Sequence, residues 1–243
     1  MDIEGKVALV TGAAKRVGRS IALALAERGA ELVVHYRASE REAQEVLALA
    51  KKMGGKPVAI QADLAVPAEL DTMVESAMRA FGRVDILVNS AAIFYRTPFP
   101  TLTEADWDRF LAVNLKAPFL LCRQVSEIMC RRGRGKIVNV ADIAAARVWA
   151  DFIPYSVSKA GLLALTTGLA KALAPAVQVN AICPGTVLLP DGSAPDERAR
   201  AVERVPLRRL GEPEDIARAA VYLVESDFVT GEILTVDGGQ RLL

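Results

Sequence analysis

The sequence predicts an α/β domain built on one parallel sheet, and three observations lead to that prediction. Short, almost fully apolar runs recur along the chain, without the polar alternation of strands that have one face in water. Helical stretches separate these runs, which is typical of βαβ units with right-handed crossovers. The first run leads directly into a glycine turn and a helix. No repeat or linker interrupts the pattern, so residues 1–243 are predicted to form a single domain.

Polar or glycine residues follow several of the predicted strands, at the edge where open α/β sheets bind ligands. The predicted strands are residues 6–11, 31–37, 56–61, 84–88, 136–140, 177–183 and 232–236. The predicted helices are residues 21–28, 39–53, 67–81, 104–111, 115–132, 155–174 and 214–224.

A glycine turn from Gly12 to Gly18 follows the first strand at once. A strand, a glycine turn and a helix in this order direct backbone N–H groups and a helix N-terminus at a phosphate. We therefore expect Gly12, Arg16, Val17 and Gly18 to contact the phosphates of a nucleotide cofactor.

The second strand ends where a dinucleotide fold reads the adenosine ribose, and an Asp or Glu there would repel a 2′-phosphate. This strand end carries His35, Tyr36 and Arg37, followed by Ser39, and Arg16 can approach the same place. Two guanidiniums and a hydroxyl favour a phosphate, so we predict NADP(H) over NAD(H). Two alternatives stay open: Arg37 as a solvated surface residue, and His35 in a packing role.

The next two strands end in residues that we also expect at the cofactor. Asp63 and Leu64 follow the third strand, and Asn89 and Ala91 follow the fourth. Asp63 either accepts a hydrogen bond from an adenine amine or caps the next turn. Phe94 lies five residues after Asn89, in a chain with only 5% aromatic residues, and is predicted to stack on a ligand.

The candidate acid is Tyr155, which lies four residues before Lys159 in a predicted helix and therefore on the same face. A neighbouring ammonium favours a phenolate, so we expect Lys159 to lower the pKa of Tyr155. Asp142 closes the fifth strand and can point its carboxyl at the same spot. The alternative for Asp142 is a structural carboxylate that caps backbone N–H groups.

The last third of the chain carries two further predictions. The helix at residues 155–174 is apolar on nearly every face, which indicates burial in the core or against another subunit, and so a homo-oligomer. The sixth strand leads to Pro184 and Gly185, which we expect to contact the cofactor. The charged, proline-containing segment at residues 186–205 is predicted to be a mobile substrate lid.

Composition excludes several classes of function. Lys and Arg total 30 against 29 Asp and Glu, so no net field favours nucleic acid or an anionic membrane. Three cysteines without paired spacing and one histidine predict no metal site, and they argue against a Ser-His-Asp hydrolase. We find no signal peptide and no apolar run of about 18 residues, so we expect a cytoplasmic protein.

From residue 6 to residue 239 the chain resembles the short-chain dehydrogenase/reductase family. The motifs that carry the resemblance are Thr11-Gly12…Gly18, Asp63, Asn89…Ala91, Asn114, Tyr155-x-x-x-Lys159, Pro184-Gly185 and Asp237-Gly238-Gly239. The resemblance implies a Rossmann-like, doubly wound sheet of seven parallel strands with helices on both faces, an NAD(P)(H) cofactor and a homotetramer. It also implies that Tyr155 is the acid and contacts the cofactor, that Lys159 lowers its pKa and binds the nicotinamide ribose, and that Asn114 holds a water in a proton relay.

Two departures from the family pattern point to one branch of it. Arg16 stands where family members usually have glycine, and Asp142 stands where they usually have serine. Together with Phe94 they resemble the pteridine reductases, in which the arginine meets cofactor phosphate and pterin and the aromatic ring stacks on the pterin. This implies substrate contacts from Arg16, Phe94, Asp142 and Tyr155. Ala92 departs from that branch, which usually has serine there.

We therefore predict an NADPH-dependent reductase of a pteridine. A carboxylate at Asp142 opposes the oxyanion of carbonyl reduction, whereas an acid and phenol pair can protonate a ring nitrogen. The alternative is a carbonyl or 3-oxoacyl reductase of the same family. A cofactor-binding protein without turnover is less favoured, because Tyr155, Lys159 and Asn114 are all present.

Overall fold

One sheet of seven parallel strands organises the chain, in the order β3-β2-β1-β4-β5-β6-β7. The computed structural model describes residues 1–189 and 194–243. The strands are β1 (Val7–Val10), β2 (Glu31–Tyr36), β3 (Val58–Gln61), β4 (Ile86–Asn89), β5 (Gly135–Val140), β6 (Val177–Pro184) and β7 (Ile233–Val236). The predicted doubly wound α/β fold is confirmed.

Helices cover both faces of the sheet, and each face has its own apolar core. Residues of α1, α2 and α8 form the core on one face, and residues of α3 and α5 dominate the core on the other. The helices are α1 (Arg16–Glu27), α2 (Glu40–Lys52), α3 (Pro67–Phe81), α4 (Glu104–Leu111), α5 (Ala117–Arg131), α6 (Ile153–Leu173), α7 (Pro195–Glu203) and α8 (Pro213–Glu225).

The strand order reverses beside β1, which places a crevice between the carboxyl ends of β1 and β4. Val10 lies opposite Val34 of β2 and Val88 of β4, so the three strands end at the same level. The loops that follow them meet there, and open α/β sheets bind their ligands at this kind of switch point.

Most helix boundaries lie within two residues of the prediction, and two features differ by more. Helix α1 begins at Arg16 and not at residue 21. The sequence pattern did not predict this first turn, because its residues lack the apolar periodicity of a helix. The helices α4 and α5 are joined by a π-helical turn, Ala112–Lys116, where the sequence predicted a break. Such a turn adds one residue to the helical ladder and is frequent at functional sites. Asn114 lies in this turn.

The predicted lid is described only in part. Helix α7 occupies residues 195–203, whereas residues 190–193 lie outside the described part of the chain. Helix α6 buries Leu162 but leaves Val157 39% exposed, so one chain does not cover all of its apolar faces. Burial against another subunit therefore stays a prediction. Among the described residues, no helix is long and apolar enough to cross a membrane.

Candidate active site

A cleft of about 670 Å³ lies at the carboxyl edge of the sheet and gathers most of the predicted site. Among the predicted residues, only the side chains of Asn89 and Asn114 do not line it. The predicted residues that line it are Gly12, Arg16, Val17, Gly18, His35, Tyr36, Arg37, Ser39, Asp63, Leu64, Ala91, Phe94, Asp142, Tyr155, Lys159, Pro184 and Gly185.

The glycine turn forms a backbone cradle that leaves no room for side chains. Gly12 has a φ of 65°, and a Cβ there would lie 3.0 Å from the Cα of Ala91. A Cβ on Gly18 would lie only 2.3 Å from the carbonyl oxygen of Gly12. Thr11 ties the turn to the loop after β4, because its Oγ1 accepts hydrogen bonds from the N–H groups of Ser90 and Ala91 at 3.0 and 3.1 Å.

The N-terminus of α1 opens on this cradle. No side chain in the described parts of the chain caps it, since Lys15 at the N-cap position makes no side-chain hydrogen bond to the helix. Free N–H groups and the positive end of the helix dipole favour an anion. The residues present therefore fit a cofactor diphosphate.

Arg16 has an unusual backbone conformation for a residue that is not glycine. Its φ of 53° lies in the left-handed region, which explains why glycine is the usual residue at this position in the family it resembles. The exposed guanidinium lines the cleft, and Nη2 donates to the carbonyl oxygen of Leu188 at 3.3 Å. Arg16 thus connects the glycine turn with the loop after β6.

His35 positions the glycine turn with both of its ring nitrogens. Nδ1 accepts from the N–H of Gly12 at 3.0 Å, so Nε2 carries the proton and donates to the carbonyl oxygen of Ala62, also at 3.0 Å. Burial lowers the pKa of the imidazole and keeps it neutral. Of the two roles open from the sequence, these bonds correspond to packing and not to a phosphate contact by the ring.

The rest of the β2 end remains accessible. Arg37 is exposed and Ser39 half-buried, and both line the cleft. Asp63 caps a turn, because its Oδ1 accepts from the N–H of Ala65 at 2.9 Å, while it also borders the cleft. Asn89 instead turns into the sheet, where its Nδ2 donates to Oδ1 of Asn139 at 2.8 Å.

Asp142 and Tyr155 form a direct contact in the cleft. The Oη of Tyr155 donates to Oδ2 of Asp142 at 2.7 Å, and Oδ1 of Asp142 accepts from the N–H of Ala144 at 2.8 Å. Oδ1 therefore makes the capping bond of the structural alternative, and Oδ2 contacts the predicted acid, so the catalytic role of Asp142 stays a prediction. Lys159 donates from Nζ to the carbonyl oxygen of Val140 at 2.7 Å, and this Nζ lies 5.8 Å from the centre of the Tyr155 ring.

The electrostatics of this group contradict one prediction. Burial, followed by the charge of Asp142, raises the pKa of Tyr155 well above its usual range, so the expected lowering by Lys159 is wrong for the chain alone. Burial also raises the pKa of Asp142 and lowers the pKa of Lys159 to about 8. The ammonium of Lys159 donates to the carbonyl oxygen of Val140, whereas the carboxyl group of Asp142 contacts the phenol of Tyr155. Tyr155 is consequently a protonated donor.

Asn114 is buried beside the cleft and hydrogen-bonds to two of the segments that border it. Its Oδ1 accepts from the N–H of Ile93 at 2.9 Å, and its Nδ2 donates to the carbonyl oxygen of Ile93 at 3.1 Å and to Oγ of Ser158 at 3.2 Å. Ser158 in turn donates to the carbonyl oxygen of Tyr155 at 2.6 Å. Asn114 therefore couples the helix of Tyr155 to the loop that carries Phe94.

Sequence reasoning missed two aromatic residues beside Phe94. Phe152 stacks on Phe94 with ring centres 4.6 Å apart and planes 4° apart, and Trp149 lines the cleft. The available signal was two aromatic residues within six positions before Tyr155, in a chain where such residues are scarce.

Comparison with known proteins identifies the family. Residues 12–241 match the family model described as Enoyl-(Acyl carrier protein) reductase. The chain belongs to the short-chain dehydrogenase/reductase family. Members of this family are oxidoreductases that use nicotinamide cofactors, so the predicted family and reaction class are confirmed.

Individual relatives cover nearly the whole chain. An uncharacterized oxidoreductase of Thermotoga maritima is 40% identical, with 98% of each chain covered. A 3-oxoacyl-[acyl-carrier-protein] reductase of Staphylococcus epidermidis is 36% identical over 98% of this chain and 99% of its own. A solved structure described as a short-chain alcohol dehydrogenase from Sinorhizobium meliloti matches with a TM-score of 0.93, 35% identity and coverage of 99% and 98%. These relatives do not support the pteridine branch, and the 3-oxoacyl reductase favours the carbonyl alternative.

Proposed function

We propose that the protein is an NADP(H)-dependent reductase in which Asp142 and Tyr155 together protonate the acceptor. The observation that carries this proposal is the 2.7 Å hydrogen bond from Tyr155 Oη to Asp142 Oδ2, inside the cleft and beside Lys159. When bound, the cofactor supplies the hydride. Gly12 and Gly18 provide the backbone cradle that fits its diphosphate.

The proposed preference for NADP(H) rests on the end of β2. The segment after Tyr36 presents Arg37 and Ser39 to the cleft, and Arg16 approaches from the glycine turn. No carboxylate occupies the last position of β2 or the residue after it. A 2′-phosphate would therefore meet guanidinium and hydroxyl donors without repulsion. Comparable catalytic efficiency with NADH and NADPH would contradict this preference.

The acceptor must gain a proton when it gains a hydride, and Tyr155 offers a phenol in the cleft that is hydrogen-bonded to Asp142. Its raised pKa keeps the proton on Oη until the acceptor becomes basic. Once Oη has given its proton to the acceptor, a phenolate next to an ionised Asp142 would be unfavourable. Protonated Asp142 therefore replaces that proton, from Oδ2 to Oη, and the direction of the hydrogen bond between them reverses. Burial raises the pKa of Asp142 and so favours the protonated form that this step requires.

The first candidate for the acceptor is a carbonyl group, as in a 3-oxoacyl compound. The named 3-oxoacyl reductase supports it over nearly the full length of this chain. Tyr155 can donate to the carbonyl oxygen there, while a protonated Asp142 passes its proton from Oδ2 to the Oη of Tyr155. This mechanism requires that turnover falls as rising pH ionises Asp142.

The second candidate is a ring C=N bond of a pteridine, and a specific observation favours it. A carboxylic acid in direct contact with a phenol is suited to protonating nitrogen. Arg16 and Phe94 line the same cleft and are the substrate contacts that this candidate requires. The exposed Ala92, which offers no hydroxyl, counts against it.

A screen of NADPH oxidation separates the two candidates. We expect turnover of an acetoacetyl thioester if the acceptor is a carbonyl, and turnover of 7,8-dihydrobiopterin or dihydrofolate if it is a ring C=N bond. Asp142→Ser is the matched variant, since it should preserve or raise carbonyl reduction but abolish pteridine reduction. The absence of NADPH oxidation with every acceptor, in a protein that binds NADPH, would instead leave a cofactor-binding protein without turnover.

The proposal includes a homo-oligomer, a tetramer by resemblance to the family. Helix α6 supports it, because Val157 is exposed and several of its leucines are only partly buried within one chain. Light scattering after size-exclusion chromatography tests it, and a monomer at working concentration would contradict it.

A further inference from the structure

Three aromatic side chains, Phe94, Trp149 and Phe152, form one continuous surface that we call the aromatic wall. Phe94 and Phe152 lie parallel with their ring centres 4.6 Å apart. The ring of Trp149 meets both of them edge-on, at 6.4 Å from Phe94 and 5.9 Å from Phe152. The wall adjoins the proton donor, because Phe94 also meets the ring of Tyr155 edge-on at 4.8 Å.

The aromatic wall is formed by two loops that are hydrogen-bonded to each other. Phe94 follows β4, whereas Trp149 and Phe152 lie between β5 and α6. Thr97 donates from its backbone N–H to the carbonyl oxygen of Asp151 at 2.7 Å, and its Oγ1 donates to the same oxygen at 3.3 Å. Thr97 is buried, so these bonds are protected from water.

An ion pair reinforces the same junction at the surface. The guanidinium of Arg96 lies 2.5 Å from Oδ2 of Asp151, with both side chains substantially exposed. A pair this exposed contributes little by itself. Together with the Thr97 bonds it joins the two loops at both a buried and an exposed position.

Only part of the wall faces the ligand space. Trp149 and Phe94 line the cleft, whereas Phe152 does not line it and covers one face of the Phe94 ring. A ligand ring can therefore stack only on the remaining surface of Phe94, which is 51% exposed overall. Phe152 consequently acts as a positioning residue that fixes the plane of Phe94.

We propose that the aromatic wall selects acceptors that carry their reducible bond on a flat, conjugated ring, with Trp149 as a direct contact and Phe152 as the support of Phe94. This inference rests on the proposed function and narrows its substrate class. A preformed set of perpendicular and parallel rings offers stacking and edge contacts to a planar ring. A flexible chain gains less from it, because the chain must also lose conformational freedom to lie against the wall.

The test compares two acceptors with similarly activated carbonyl groups and different shapes. Isatin is a planar ring ketone next to an amide, and ethyl pyruvate is an open-chain ketone next to an ester. NADPH oxidation is measured for the wild type, Trp149→Leu, Phe152→Leu and the matched control Phe99→Leu. Phe99 is 71% exposed in the segment after β4 and does not line the cleft.

The expected result is a selective loss. Trp149→Leu and Phe152→Leu should each lower kcat/KM for isatin about tenfold, mainly through KM, since that is the scale of one aromatic contact. The same variants should change kcat/KM for ethyl pyruvate by less than about twofold, as should Phe99→Leu for both acceptors. Equal losses with the two acceptors would show a merely structural role for the wall and overturn the proposal.

A binding measurement keeps this test independent of the proposed function. The chain contains two tryptophans, so Trp107→Phe leaves Trp149 as the only reporter of indole fluorescence. In the presence of NADP⁺, isatin should quench this fluorescence saturably and ethyl pyruvate should not. If neither acceptor is reduced but isatin binds in this way, the proposed reaction is wrong, whereas the proposal that the aromatic wall recognises planar rings is supported. If isatin does not quench the fluorescence saturably, the proposal that the aromatic wall recognises planar rings is wrong.

Discussion

The two halves of the cleft are built from different parts of the chain. The cofactor half, around Gly12 and Gly18, is made of backbone whose shape depends on missing side chains. The acceptor half, around Asp142, Tyr155 and the aromatic wall, consists of side chains that position one another. In the proposed function, the first half binds the nicotinamide cofactor that the whole family uses, whereas the second half determines which acceptor is reduced. Substitutions should therefore separate cofactor binding from turnover.

The largest expected effect lies in the acceptor half. Tyr155→Phe removes only the Oη, and the ring remains able to pack against Phe94 at 4.8 Å. We expect kcat to fall by about 10²–10⁴-fold, the usual contribution of a positioned general acid. NADPH affinity, measured by fluorescence titration, should change by less than about threefold, because the backbone cradle that fits the diphosphate is intact. A variant that keeps more than about a tenth of the wild-type kcat would show that another group donates the proton.

Gly18→Ala is the corresponding substitution in the cofactor half, where it should impair NADPH binding. The new Cβ would lie 2.3 Å from the carbonyl oxygen of Gly12, and backbone cannot move aside as a flexible side chain can. We expect a loss of stability of about 1–3 kcal/mol by urea unfolding, and at least a tenfold weaker affinity for NADPH.

Gly168→Ala provides the control for that experiment. Gly168 lies in α6, and no atom outside its own helix surroundings comes within 4 Å of a Cβ built there. Alanine should therefore stabilise the helix by about 0.5–1 kcal/mol and leave NADPH affinity unchanged. If both glycine variants behaved alike, the cradle would not be the feature that excludes side chains.

A third prediction concerns the pH dependence of the cofactor half. His35 is the single histidine of the chain, and burial lowers its pKa in the folded protein. The unfolded chain therefore binds more protons than the folded one below about pH 6.5, so stability should fall as pH falls through that range. The slope attributable to His35 is at most about 1.4 kcal/mol per pH unit.

Urea unfolding at pH 7.5 and pH 5.5 measures this loss, and His35→Gln is the matched variant that does not titrate. The wild type should lose more stability than the variant on acidification. NADPH affinity should fall in parallel, because a protonated Nδ1 can no longer accept from the N–H of Gly12. Identical pH profiles for the two proteins would mean that the imidazole does not set the geometry of the turn.

The difference between the two halves also explains which features could be predicted from the sequence. The sheet and the glycine cradle were predictable, because apolar runs and glycine requirements are local and each leaves its own pattern. The hydrogen bond of Thr97 to Asp151 and the stacking of Phe152 on Phe94 join distant segments, and no local pattern announces them. The pKa of Tyr155 was mispredicted for a related reason, since burial outweighs a charge whose position follows only from the fold.

The smallest effect comes from Arg16, the residue at which the two halves meet. Its left-handed φ of 53° costs about 1 kcal/mol that glycine would not incur, so Arg16→Gly should make the protein more stable by about that amount. The variant should also bind NADPH more weakly, because a guanidinium is lost from the cleft. Arg208 has the same backbone conformation, with a φ of 56°, but does not line the cleft. Arg208→Gly should therefore give a similar gain in unfolding free energy with unchanged NADPH affinity. If Arg16→Gly also leaves the affinity unchanged, the guanidinium does not contribute to NADPH binding.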